Sequence, residues 1–332
     1  IYINDLPECV EANTYLFAND TKIFRKIKTE EDRKHLQDDL DKLQQWSDTW
    51  LLKFHPNKCK VMSISNKRLT EVTTTYYLHD QDGKPVELSR SEGEKDLGVM
   101  VDDKVNFDKH IQQQVNKANS IMGLIRRTYT FLDETSFRYL FQALVRPHLE
   151  YAEAVWSPFT KKDIDTIEKV QKRATKLIPS LRNMDYPNRL KKLKMPTLQY
   201  RRLRGDMIEV YKIINGIYDH KVVTGFFELS DVEQTRGHNK KLRKLSCKIN
   251  KRKNYFSNRV IDVWNNLPQE AVSAKSVKDF EIAIDKHWEN QEMKYNHNAN
   301  IELKTGRKRS YTTIQRDDDK IEADKVVDDQ RP

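Results

Sequence analysis

From Ile111 to Ile214 the apolar residues return at intervals of three and four, and this rhythm constrains the fold more than any other feature of the chain. One stripe runs through Ile111, Val115, Ala118, Met122 and Ile125, and a second through Phe137, Leu140, Phe141, Leu144 and Val145. A third joins Ile164, Ile167, Val170, Ala174 and Ile178. The fourth, begun by Thr197 after Pro196, carries Tyr200, Leu203, Met207, Val210 and Ile214. Side chains so spaced line one side of a helix, so each stripe predicts an amphipathic helix that needs an apolar neighbour. Core packing accounts for all of them without any functional role. A shorter pair is expected at Asn258 to Leu267 and at Val277 to Trp288, the latter behind a Ser276 cap. Beyond Trp288 the rhythm stops. The segment GRKRS at 306–310 and the acidic run after it predict a charge-segregated, disordered tail over 289–332.

Residues 1–105 follow another grammar. In YLFANDTKIF, residues 15–24, two apolar runs flank a polar tip at Asn19-Asp20, which reads as a β-hairpin. The tip is either an ordinary solvated turn or a device that presents side chains to a metal ion. Leu36, Leu40, Leu43, Ser47 and Trp50 share one side of a helix, with Trp46 beside them, and Pro56 stops any continuation. Val61 to Ser65 alternates like a strand, Asp82-Gly83 marks the turn of a second hairpin, and Leu97 to Val101 is a further short strand. The expected class is α+β, with mixed α/β structure whose strands are too few for a full layer, followed by helices.

A net charge of +10 and a pI near 9.2 point to a polyanionic partner, nucleic acid first and anionic membrane second. Apolar content of 37% against 33% charged limits how much core 332 residues can build. No run approaches the roughly 18 apolar residues of a membrane span. Cys9, Cys59 and Cys247 stand singly, which supports neither a disulfide framework nor a zinc site and fits a reducing compartment. No signal peptide is visible and the first residue is not Met, so the chain reads as a fragment. The most biased segment runs from Arg236 to Arg259, with ten Lys or Arg and no Asp or Glu. Lys240, Lys241, Arg243, Lys244, Lys248, Lys251, Arg252 and Lys253 are its candidate phosphate contacts, and Tyr255 and Phe256 its candidate stacking platforms. Arg201, Arg202 and Arg204 are expected to help. The alternative is a solvated basic loop or a localisation signal.

Taken together, IYINDLP, YLFANDTKIF, FHPNKCKVM and KDLGVMVDD resemble the second half of the reverse transcriptase of non-LTR (LINE-type) retrotransposons, in the jockey-like or chicken-repeat-like group. The resemblance continues through SFRYLFQALVRPHLEYAEAVWSP, IEKVQKRATKLIPSL, YRRLRGDMIEVYKIING and FSNRVIDVWNNLP, and stops near Trp288. It implies a partial palm of hairpins and one helix over 1–105, thumb-like helices over 106–160 and a basic helical region over 161–288.

The family carries an aromatic-Ala-Asp-Asp tip on its palm hairpin. Phe17 and Ala18 match it, Asn19 replaces the first Asp, and Asp20 matches the second. Lys58 falls where relatives place a lysine near the leaving pyrophosphate, and Leu97-Gly98 resembles the turn that grips the primer strand. The family's chemistry uses two Mg²⁺ ions bridged by aspartates from two palm strands. The partner aspartate, the fingers and an endonuclease domain would lie ahead of Ile1. The resemblance therefore implies an RNA-directed DNA polymerase remnant that is inactive as it stands. Asp20 is its residual metal ligand, Mg²⁺ is not held tightly, and RNA and DNA rather than a membrane are its partners. A nuclear or cytoplasmic location is expected over an exported one. Two other readings stand beside it: a piece of an active full-length polymerase, and a non-catalytic nucleic-acid-binding or scaffold protein.

Overall fold

Thr29 opens the first long helix. Its hydroxyl accepts from the Asp32 amide at 3.2 Å while the Asp32 carboxylate accepts from the Thr29 amide at 2.9 Å, a reciprocal cap that starts α1, Glu30–Trp50. In the computed structural model the described residues are 3–64, 75–230, 237–247 and 250–303, and the chain divides into two units, Ile1–Asn106 and Phe107–Pro332.

In the first unit a hairpin of β1 (Asn13–Phe17) and β2 (Asp20–Phe24) precedes α1. After α1, β3 (Lys60–Val61) pairs in parallel with β6 (Ser89–Arg90) over two residues. Two further hairpins are β4 (Tyr77–His79) with β5 (Pro85–Glu87), and β7 (Gly93–Asp96) with β8 (Val99–Asp102). The core is small: Leu6, Leu40, Leu43, Trp46, Tyr76, Leu78 and Leu88. Polar side chains of α1 hold what surrounds it. The buried Asp39 carboxylate accepts from the amides of Glu11 and Ala12 and from Arg25 Nη1, each at 3.0 Å, so one side chain ties the hairpin to the helix. Gln37 closes on both the amide and the carbonyl of Tyr77, and Trp46 Nε1 donates to Asp5 Oδ1 at 3.1 Å. The expected face of α1 is buried at Leu40, Leu43, Trp46 and Ser47, half-buried at Leu36 and exposed at Trp50. Of the strand expected at 61–65 only its start at Val61 is found, residue 65 lying outside the described residues, and the strand expected at Leu97 begins at Val99 because Leu97 and Gly98 form the β7–β8 turn.

The second unit is helical. In α2 (Asp108–Thr128) all five residues of the first stripe are buried. Asp133 caps α3 (Glu134–Leu140), which passes through a wider π turn at Phe141–Val145 into α4 (Arg146–Glu150). The wider turn keeps Phe137, Phe141, Val145 and Leu149, each four apart, on the buried side and leaves Leu144 exposed. Then follow α5 (Glu153–Trp156), α6 (Lys161–Ala174), α7 (Tyr186–Leu193), α8 (Leu198–Ile214) and α9 (His220–Val223). The last are α10 (Asn250–Lys253), α11 (Phe256–Arg259), α12 (Ile261–Trp264), α13 (Gln269–Val272) and α14 (Val277–His287). Helix α8 is central, with α5, α6, α12, α14 and the turn Glu292–Lys294 packed on it. Met207, Val210, Trp264, Phe280, Ile284 and Trp288 fill the space between, and the Tyr211 and Phe280 rings stack with centroids 4.5 Å apart. No described helix is long and apolar enough to cross a membrane.

Packing crosses two of the expected boundaries. Residues 106–160 and 161–288 are not separate bodies, because the apolar side of α2 packs on α6 and α5 packs on α8. The fold also does not stop at Trp288. Met293 and Ile301 are buried in the α8 core, Thr197 N donates to Lys294 O at 2.9 Å, and Thr197 Oγ1 donates to Met293 O at 2.8 Å. The segment satisfies the start of α8 with backbone carbonyls, which leave no periodic trace in sequence. GRKRS and the acidic run lie outside the described residues. A chain of residues 107–303 is therefore expected to give a helical spectrum and one cooperative thermal transition, with a lower midpoint when it ends at Trp288. Residues 1–106 alone, with a shallow core and two-stranded sheets, are expected to melt without a sharp transition. Circular dichroism of the three pieces checks this, and equal midpoints for the two helical chains would remove the role given to 289–303.

Candidate nucleic-acid surface and the hairpin tip

The hairpin tip is built by register. Phe17 faces Asp20 across β1 and β2, so Ala18 and Asn19 form the two-residue turn and Asp20 begins the second strand. Ala18 takes φ of 53°, a left-handed conformation that costs a residue with a Cβ about 1–2 kcal/mol. Asn19 and Asp20 are both exposed, and beside them Tyr15, Phe17 and Phe24 form an exposed aromatic face, the Tyr15 and Phe24 rings stacked at 5.6 Å. Magnesium calls for several anionic oxygens in near-octahedral order. The tip offers one carboxylate and one amide. Among the described residues no group of three or more His, Cys, Asp or Glu side chains is placed to hold a metal ion. The residues present do not fit a resident Mg²⁺.

Lys58 ends a short 3₁₀ turn, Pro56–Lys58, and is exposed. Leu97 and Gly98, with φ of 45° and 89°, make the tight turn between β7 and β8, where Gly98 adopts the left-handed backbone without the Cβ clash that Leu97 tolerates.

The basic run folds onto the helical unit unevenly. Arg243, Lys244, Arg252, Lys253 and Tyr255 are exposed. Arg243 pairs with Glu228 at 3.3 Å and Lys244 pairs with Asp262, both at the surface. Lys240 Nζ is held by Asn215 Oδ1 at 2.5 Å, Lys241 is half-buried with its stem against Gly237, and Lys251 is half-buried. Phe256 is not a stacking platform: its ring packs on Phe227 at 5.8 Å at the edge of the core and lies under the Arg259 guanidinium. Lys248 lies outside the described residues. A second surface with the same chemistry was not singled out in the sequence, although RRTYTF encodes it. Arg126 and Arg127 end α2, and Tyr129 and Phe131 follow, all exposed, Phe131 to 78%. Tyr139 of α3 is also exposed and lies beneath Arg138, whose guanidinium is 5.7 Å from the ring centroid.

The three arginines of α8 correct the sequence reading most clearly. Arg201 grips Glu150 through Nε and Nη2, and Arg204 grips Asp285 through Nε at 2.6 Å and Nη2 at 2.9 Å. Arg202 is buried, with 3% exposure. Arg202 is thus withdrawn from solvent, and Arg201 and Arg204 are half-buried with their forks already filled by carboxylates, because α8 is the core helix of its unit. Arg259, the last cation of the basic run, also turns inward and meets Asp206 at 2.8 and 3.1 Å. Around these pairs the carboxyl groups feel burial. Desolvation raises Glu168 and Asp206 despite their hydrogen bonds, and burial together with the Glu150 charge pushes Glu153 up to about 8. Glu153 is only half-buried as a residue, but its carboxyl points inward and its Oε2 is out of solvent contact. Gly205 makes room for it, since a Cβ there would collide with Oε1. The folded protein thus binds the Glu153 proton more tightly than the unfolded chain, so this group lowers stability as pH rises from about 4.5 to about 8 and adds no further slope above. Glu153→Gln is expected to melt progressively higher than the parent across that window, by on the order of 1 kcal/mol per pH unit. Thermal melts of both proteins from pH 5 to 9 test it, and a pH-independent difference would contradict it.

Comparison with known proteins adds little. An uncharacterized protein of Caenorhabditis elegans is 28% identical over 126 residues, covering 37% of this chain and 64% of its own length. The chain thus spans under two thirds of the relative it matches. No family model matches the chain, and no solved structure matches it.

Proposed function

We propose that this chain derives from a non-LTR reverse transcriptase and that its remaining activity is binding to RNA and DNA through phosphate contacts, without nucleotide transfer. The observation that carries the reading is that short segments of the helical unit expose cations together with aromatic rings: Arg126 and Arg127 with Tyr129 and Phe131, and Arg252 and Lys253 with Tyr255, while Arg243 and Lys244 are exposed earlier in the same basic run. Cations track the backbone, and rings stack on whichever base is presented. The exposed pairs Arg243–Glu228 and Lys244–Asp262 do not obstruct this, because surface ion pairs are worth about 0–1 kcal/mol and exchange for phosphate.

Loss of transfer rests on Asn19. Two-ion chemistry needs carboxylate charge to offset the metal and the triphosphate, and an amide keeps an oxygen while losing that charge. Primer extension on RNA or DNA template, with Mg²⁺ or Mn²⁺, is expected to be absent, and Asn19→Asp alone is not expected to restore it. Template-dependent incorporation above that of an Asp20→Ala control would overturn this part.

Binding is expected to be nearly indifferent to sequence and to weaken steeply with salt, with a slope of log K against log salt near −5 if about six phosphates are contacted on duplex. Replacing Lys240, Lys241, Arg243 and Lys244 together by Ala is expected to flatten the slope by about two units, since Arg243 and Lys244 alone among them are fully presented. Arg126→Ala with Arg127→Ala is expected to do the same. Tyr129→Ala or Phe131→Ala is expected to cost about 1–3 kcal/mol on single strands with little change in slope. Titrations of a labelled oligonucleotide at several salt concentrations check all three, and slopes unchanged in both cation variants would leave these surfaces as solvated faces only.

A further inference from the structure

Arg202 has a peculiarity that its displacement from the surface does not explain. Its Nη1 and Nη2 are buried and have no hydrogen-bond partner, and such a group is costly unless something accepts from it. The charges that act on it are Glu168, Glu153, Glu150 and Asp206, and each carboxyl is committed elsewhere or neutral. Glu168 accepts from the Tyr186 hydroxyl at 2.5 Å and the Leu198 amide at 3.0 Å. Glu150 is taken by Arg201 and Asp206 by Arg259. Burial pushes Glu153 up to about 8, which favours its neutral form at neutral pH.

Arg202 also lines a cavity of about 160 Å³ between α6, α8, α12 and the segment Met293–Ile301. Phe159, Ile164, Leu203, Val263, Met293 and Ile301 make most of its wall apolar. Arg259 and Asp206, which also border it, satisfy each other, so Arg202 is left as the cation with donors to spare. Gln199 borders it too, with a buried Oε1 that has no partner.

We propose that this cavity binds a small organic carboxylate with an apolar body of roughly the size of one benzene ring. The two terminal nitrogens of a guanidinium match the two oxygens of a carboxylate, a fork that a spherical or neutral ligand does not fill. An apolar cavity of about 150 Å³ holds a benzene-sized body. Gln199 Oε1 accepts a hydroxyl or N–H carried beside the carboxylate, so a hydroxy acid binds better than the bare acid.

Calorimetric titration of the full chain with benzoate, 2-hydroxybenzoate, benzamide and inorganic phosphate tests this. The expected result is one-to-one binding of benzoate, tighter binding of the hydroxy acid, and at least about tenfold weaker binding of benzamide and phosphate, a difference equal to about 1.4 kcal/mol. Arg202→Lys, which keeps the charge and loses the fork, is expected to weaken benzoate about tenfold. No heat with benzoate up to several times the usual millimolar range of weak ligands would mean that the cavity holds water only. Equal binding of benzoate and benzamide would remove Arg202 as a carboxylate receptor, and equal binding of phosphate would remove the apolar body. The ligand series is read on the parent protein, so it stands even where the variant does not fold. The oligonucleotide titrations report on exposed cations elsewhere in the unit, so either result can fail without the other.

Discussion

The helical unit depends on helix α8, a segment that sends charge into its own core. Neighbours pack on α8 from several sides and hold it by shape. Three ion pairs add directional contacts. Arg201 reaches Glu150, Asp206 is gripped by Arg259, and Arg204 grips Asp285, spanning 51, 53 and 81 positions of sequence. The Asp206–Arg259 pair is the most enclosed, its side chains 5% and 15% exposed. Breaking a buried pair by removing one partner costs about 3–5 kcal/mol, because a charge is left without compensation in a poorly polarisable surrounding. These pairs tie α8 to three distant stretches of the chain and occupy Arg201, Arg204 and Arg259 with carboxylates, the Arg204–Asp285 pair at the surface.

The same logic organises the first unit on a smaller scale. Asp39 is buried against two backbone amides and Arg25, and it fixes the hairpin on α1 where the apolar core is too small to do so. What this scaffold holds in place is a turn with a left-handed alanine and an exposed aromatic face. Left-handed backbone at a residue with a Cβ gathers at sites where geometry serves chemistry. Here the left-handed residue is Ala18, and the side chains presented beside it are one amide, Asn19, and one carboxylate, Asp20.

Charge therefore plays two roles in one unit. Outward cations beside Tyr129, Phe131 and Tyr255 suit a polyanion, whereas inward ones lock α8 and leave one guanidinium facing a cavity. Each inward pair cancels within itself, so the net charge of +10 says nothing of which cations face outward.

Periodicity and local turn chemistry were determined by the sequence itself. The stripe from Ile111 to Ile125, the Thr197 and Ser276 caps and the Asp82-Gly83 turn all depend on neighbours a few residues away, and they can be read from those neighbours. Only the tertiary structure decided which polar residues face inward. Arg202 and Arg243 lie in similarly basic surroundings, yet one is buried on the core helix and the other lies at the surface beside Glu228. The carbonyls of Met293 and Lys294 that satisfy Thr197 carry no side-chain signature at all. The reason is physical: apolar spacing is a property of one segment, whereas the compensation of a buried charge or amide depends on a partner that the chain brings from dozens of residues away.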